Sequence, residues 1–201
     1  MTTTTMLKDV VIRSYIFAEK AHEGQTRRFS GLPYFTHPKA VARFVEELTS
    51  NPVLVAAALL HDTVEDTPVS QVEIDKHFGG EIGFLVDELT NKPDVREKLG
   101  LSKKEYILTK MSRMSENALL IKLCDRLHNI LFLEEDCTSD EQREFIVRYT
   151  ESTTYIMDRL FTERYAKGLT MNELHFMVIR RINSVLAFIY RAHFNGERPL
   201  L

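Results

Sequence analysis

The chain has 201 residues, 44% of them hydrophobic and 27% charged, with a formal net charge of −3. That is enough chain for one sizeable core, and its acidic balance excludes the basic footprint of a bulk nucleic-acid binder. Only two cysteines occur, Cys124 and Cys137, without a CxxC spacing, which argues against a disulfide scaffold and a structural zinc site and fits a reducing cytosol.

The predicted elements run as follows. The start "MTTTTMLKDVVIRSY" lacks the basic-then-apolar layout of a signal peptide, and residues 1–6 read as a flexible N-terminus. A first helix covers 7–22, and "GQTRRFSGLPY" (24–34) is a polar, glycine-bearing loop. Pro38 stands where a first helical turn tolerates proline, so a second helix covers 38–48. Asn51 caps a third, with Pro52 at its first position, and that helix runs through "VLVAAALLHDTVEDT". Val53 to Leu60, the longest apolar run, is far short of the ~20 residues a membrane span needs.

Helices over 70–77 and 81–90 flank a Gly79-Gly80 break, and "NKPD" is a turn. Ser102 with Glu105 forms a capping box for 103–113, and "ALLIKLCDRLHNILFLEE" lies in a helix over 116–135. Ser139 with Gln142 caps a long helix to about 166, and Thr170 with Glu173 caps the last, ending near Phe194. The apolar stripe of 171–194 is core or the surface of a homo-oligomer. No linker or repeat divides 7–201, which reads as one all-α domain, a bundle of about eight to ten helices.

"HDTVEDT" (61–67) sets four ionisable side chains at the end of a run that reads as buried helix. Buried carboxylates and imidazoles cost on the order of several kcal/mol unless paired or metal-bound. On a continuous helix His61 and Glu65, and Asp62 and Asp66, share a face at i and i+4. His37 precedes a helix in "YFTHPKAVA", and Asp125 interrupts the apolar segment "LLIKLCDRLHNI". The bland account of Asp125 is a surface ion pair with Lys122 or Arg126, against which its apolar flanks argue. Two histidines and two aspartates suit Mn²⁺, Fe²⁺ or Zn²⁺ and leave positions open for water. His22, His77, His128, His175 and His193 read as structural.

His, then His-Asp, then Asp along a helical chain is the ligand order of the HD phosphohydrolase superfamily, which this chain resembles. "GQTRRFSGLPYFTHPKAVA", "AALLHDTVEDT", "HFGGEIGFLVDELT" and "IKLCDRLHNI", in this order, make it similar to the hydrolase domain of RelA/SpoT-type alarmone enzymes over roughly 7–160. In long members a synthetase and regulatory domains follow. This chain stops at 201 and so looks like the small stand-alone alarmone hydrolases, a group that includes the metazoan SpoT homologue.

The resemblance implies an HD-domain helical bundle and a guanosine-3′,5′-bis(diphosphate) 3′-pyrophosphohydrolase. It implies that His37, His61, Asp62 and Asp125 hold one Mn²⁺, and that Glu65 and Asp66 position or polarise the nucleophilic water. It places Arg27 and Arg28 against the guanine base and phosphates of ppGpp or pppGpp, and Asn129 against the nucleotide, with Tyr149 on the far wall of the pocket. The expected partner is that small nucleotide, with no nucleic acid and no membrane, in the cytoplasm. The expected reaction returns GDP or GTP and pyrophosphate.

The chain departs from the family pattern at three points. Phe29 lengthens the loop before His37 by one residue, Arg28 replaces the commoner lysine, and Leu131 and Phe132 stand where an arginine and a small polar residue are usual. These changes keep open (p)ppApp, or another nucleotide or 3′-phosphorylated cofactor, as the substrate. A catalytically dead nucleotide sensor is a third reading, opposed by the intact "HDTVED".

Overall fold

The structure, a computed structural model, describes residues 3–133 and 139–193. Among them the chain forms helices and no sheet; the single β-bridge joins Thr26 to Pro33. Its contacts divide it into two compact units, residues 1–91 and 92–201. No helix of the described residues is long and apolar enough to cross a membrane.

The first unit holds α1 (Thr3–Ala21), α2 (Thr36–Thr49), α3 (Pro52–Leu60), α4 (Thr63–Asp66), α5 (Gln71–Phe78) and α6 (Gly80–Leu89). Helix α1 starts four residues earlier than the apolar periodicity suggests. Helix α3 is the axle of this unit. Asn51 caps it by accepting the Val53 N–H at 3.0 Å, with Pro52 following. Every residue from Leu54 to Leu60 is buried, against α1, α2 and α6. Three consecutive alanines, Ala56 to Ala58, are fully buried and let the neighbouring backbones approach.

Helix α3 does not run on through the acidic motif as its periodicity predicts. It stops at Leu60, His61 and Asp62 form a turn, and α4 resumes for four residues. The buried His61 ring turns back, and its Nδ1–H donates to the Ala58 carbonyl at 2.9 Å, one of the acceptors left open at a helix end. After α4, Gly79 has φ +84°, a conformation suited to glycine, and it turns the chain from α5 into α6. At Gly83 a Cβ would meet the Asp75 carboxylate, which would have to shift to make room for it.

The second unit holds α7 (Pro93–Lys98), α8 (Lys103–Met111), α9 (Glu116–Leu131), α10 (Asp140–Tyr165) and α11 (Glu173–His193). "NKPD", read as a turn, instead opens α7, because Pro93 takes the first helical position where its missing N–H costs nothing. The capping boxes of Ser102 with Glu105 and Ser139 with Gln142 form as expected. The far end of the predicted 116–135 helix, at 134–135, lies outside the described residues, as do Cys137 and Phe194. Helix α9 is buried along most of its length and packs on α10 and α11.

The start of α11 corrects the predicted cap. Thr170 donates its hydroxyl to Glu116 across 54 positions. The helix is capped instead by Asn172, whose Oδ1 accepts the His175 N–H at 3.3 Å. His175 Nδ1 in return accepts the Asn172 N–H at 3.0 Å, and its Nε2–H donates to the Glu116 carbonyl at 2.8 Å. Accepting at Nδ1 needs neutral imidazole, and burial foremost holds its pKa below the ordinary value although the Glu116 carbonyl opposes the shift. The unfolded chain therefore binds this proton first as pH falls. Stability is complete above the ordinary histidine pKa of about 6.5 and declines below it. The wild-type melting temperature should fall between pH 7.5 and 5.5, and His175→Ala should flatten that fall. An equal pH dependence in the variant would exclude His175 as its source.

Candidate metal centre

The centre starts from helix ends. His37 lies in the first turn of α2, and His61 and Asp62 form the turn after α3; all three are buried. Each offers one ligand atom, and these atoms lie within 4.8 Å of one another. His61 Nε2 stands 3.1 Å and His37 Nε2 3.5 Å from Asp62 Oδ2. The imidazole rings meet edge to face with centroids 5.2 Å apart.

The chemistry of this set follows from the tautomer. Because His61 Nδ1–H is committed to Ala58, Nε2 presents its lone pair to the carboxylate. Lone pairs directed at one oxygen repel unless a proton or a cation lies among them. A nitrogen–nitrogen–carboxylate set of this kind is that of a divalent transition ion, and these residues can coordinate one. The backbone partner of His61 fixes the ring in the way that supporting contacts orient metal-binding histidines.

The acidic pair follows on α4. Both Glu65 oxygens are held by Asn91, from its backbone N–H at 2.9 Å and its Nδ2 at 3.1 Å. Asp66 Oδ2 takes a contact from the Tyr34 hydroxyl at 2.7 Å, and the same hydroxyl reaches Asp62 Oδ2 at 2.8 Å. Burial foremost raises the Asp66 pKa above the usual carboxylate value, with the charges of Asp62 and Glu65 adding to it and Tyr34 opposing. Tyr34 is absent from the residues singled out by sequence. It lies 28 and 32 positions from its two acceptors, and only its place in "GLPYFTHP" hinted at it.

The loop with the basic pair belongs to the same unit. Arg27 N–H donates to the Leu32 carbonyl at 2.8 Å and Tyr34 N–H to the Gln25 carbonyl at 2.9 Å, closing a hairpin-like base. At its tip the Arg28 guanidinium sits over the Phe29 ring, 5.1 Å from the centroid.

Asp125, Asn129 and Tyr149 come together in the second unit. Asn129 Nδ2 donates to Asp125 Oδ1 at 2.7 Å, and Lys122 Nζ lies 2.8 Å from Asp125 Oδ2. The ion pair with Lys122 is real but buried, not the surface pair of the bland reading. Asn129 also hydrogen-bonds the Tyr149 phenol, whose pKa burial pushes up and this contact pulls back. Arg126 lies over the Tyr149 ring at 5.2 Å and donates to Thr153 Oγ1 at 2.8 Å. His128 packs its ring on Phe132 at 4.5 Å. Burial raises the neighbouring Cys124 thiol to a pKa of about 12, as expected of core rather than of a redox sensor.

The HD-domain family model matches residues 14–153. The chain belongs to the HD-domain family. Among its relatives are the GTP pyrophosphokinase rsh of Brucella suis, 40% identical over 138 residues, and the GTP pyrophosphokinase of Myxococcus xanthus, 34% identical over 148. These matches take in 65% and 71% of this chain but only 18% and 19% of those proteins, so this HD-domain chain spans less than a fifth of their length. A solved structure of a metazoan SpoT orthologue that hydrolyses ppGpp superposes with a TM-score of 0.71 at 25% identity. That likeness covers 92% of this chain and 96% of that one, and it relates this HD-domain protein to the RelA/SpoT-type hydrolases.

Proposed function

We propose that this protein hydrolyses the 3′-pyrophosphate of ppGpp and pppGpp, giving GDP or GTP and pyrophosphate. The observation that carries this reading is the convergence of His37 Nε2, His61 Nε2 and a carboxylate oxygen of Asp62 in a buried site. The likeness to the metazoan SpoT orthologue, whose own substrate is ppGpp, supports the choice of nucleotide. His37, His61 and Asp62 would hold one Mn²⁺, with Asp125 as the fourth ligand. Such an ion lowers the pKa of water and offsets negative charge on phosphate oxygens.

The chain's own groups do the rest. Glu65 and Asp66 orient the attacking water and take its proton. The water oxygen bonds to the phosphorus next to ribose O3′, and the bond from that phosphorus to O3′ breaks. O3′ leaves as a hydroxyl, receiving a proton, and the added oxygen departs in pyrophosphate. Arg27 and Arg28 bind phosphate oxygens and the base, since guanidinium forks grip phosphate in pairs of hydrogen bonds and stack on planar rings. Asn129 and Tyr149 contact the nucleoside.

A second substrate, (p)ppApp or another 3′-phosphorylated nucleotide, is favoured by one feature. Leu131 and Phe132 are 41% and 44% exposed, an apolar surface where the family usually carries polar groups. Purified protein with Mn²⁺ should release pyrophosphate from ppGpp and pppGpp, and ethylenediaminetetraacetate should stop it. Turnover of ppApp with none of the guanosine substrates would select the second reading. Absence of any turnover with metal bound would overturn both.

A further inference from the structure

Tyr34 is the least conspicuous member of the acidic cluster and the most constrained. Its ring stacks on His22, centroids 4.9 Å apart and planes at 28°. His22 is buried, and its Nδ1–H donates to Gln25 Oε1 at 2.8 Å; Gln25 Nε2 donates to the Asp66 carbonyl at 2.6 Å. The Tyr34 backbone N–H is tied to the Gln25 carbonyl as well. Ring, backbone and supporting amide therefore leave the hydroxyl one place to be. That place is between two carboxylates, 2.8 Å from Asp62 Oδ2 and 2.7 Å from Asp66 Oδ2.

We infer that Tyr34 is a positioning residue whose hydroxyl clamps the proposed metal ligand Asp62 to the proposed proton acceptor Asp66. The inference rests on the hydrolase reading for the role of Asp66, while the clamp on Asp62 stands on geometry alone. Two carboxylates this close to one atom repel, and Asp66 is exposed enough to swing into solvent. A phenol proton shared by both removes that freedom. An ordinary phenol, with a pKa of about 10, keeps its proton at neutral pH, so the hydroxyl is a donor to both carboxylates. A group of this kind acts on the geometry of its neighbours, and misplacement by about 1 Å can cost on the order of 100-fold in rate.

The test is Tyr34→Phe, which keeps the ring on His22 and deletes only the clamp. Two quantities are measured: Mn²⁺ affinity by electron paramagnetic resonance without nucleotide, and kcat and KM on ppGpp at saturating Mn²⁺. The expected result is Mn²⁺ binding weakened about tenfold, or kcat lowered about 10- to 100-fold with KM within about twofold, or both. Mn²⁺ affinity and kcat that both stay within about twofold of wild type would overturn the inference. If wild type leaves ppGpp untouched, the hydrolase reading fails and the Mn²⁺ titration decides the clamp by itself. Where wild type is active, Asp66→Asn supplies a second background: adding Tyr34→Phe there should lower kcat little further. A full additional loss would show that the hydroxyl acts elsewhere.

Discussion

Asp62→Ala should give a folded protein that retains no stoichiometric divalent ion and has lost ppGpp hydrolysis by at least about 1,000-fold, some 4 kcal/mol of transition-state stabilisation. The reason lies in the composition of the donor set. Asp62 supplies the only carboxylate among the three converging atoms, and its Oδ2 is the point that both imidazole nitrogens face. Removing it leaves two imidazoles without the negative charge that draws a cation between them. His61 remains tied to the Ala58 carbonyl, so the loss falls on metal affinity more than on the fold. Metal analysis after gel filtration, beside the ppGpp assay, checks both halves. A variant that still carried one equivalent of metal would remove Asp62 from the ligand set.

The second large effect is on stability. Arg164 is almost wholly buried, at 1% exposure. Its guanidinium donates to the carbonyls of Met111 at 3.1 Å, Met114 at 2.8 Å and Thr170 at 3.0 Å. The first two lie in the segment leaving α8, and the third in the segment entering α11. Arg164→Met keeps much of the side-chain volume and leaves the buried Met111 and Met114 carbonyls without their donor. Unsatisfied buried acceptors cost about 1–3 kcal/mol each, partly relieved by relaxation, so a loss of about 3–5 kcal/mol is expected. Urea unfolding of the two proteins measures it. A difference under about 1 kcal/mol would mean that the carbonyls find other donors.

What could be read from sequence divides by distance along the chain. The caps at Asn51, Ser102 and Ser139 are local, each side chain meeting a backbone N–H two or three positions on, and they form as read. Thr170 fails as a cap because Glu116, invisible to a local rule, takes its hydroxyl. Helix α7 was hidden because Pro93 signals a turn and a helical start equally well. At the site, His61 and Asp62 were legible because ionisable groups beside "VLVAAALL" need a reason to be there, and His37 through the family resemblance. Tyr34 and Arg164 were not, since a tyrosine or an arginine in a mixed segment shows nothing unusual until distant backbone and side chains close around it. The predicted continuous helix through 66 gave i and i+4 pairs, whereas the turn at His61–Asp62 turns the His61 ring back onto α3.

The hairpin-like base beneath Arg27 and Arg28 divides the loop into a paired inner part and an outer tip. Gln25 pairs with Tyr34 and Arg27 with Leu32, and these bonds close the loop before the chain reaches His37. The additional Phe29 sits on the outer side of that closure, under the Arg28 guanidinium. On the proposed reading, the tip can change in length or charge while the paired base keeps Tyr34 and His37 in register behind it.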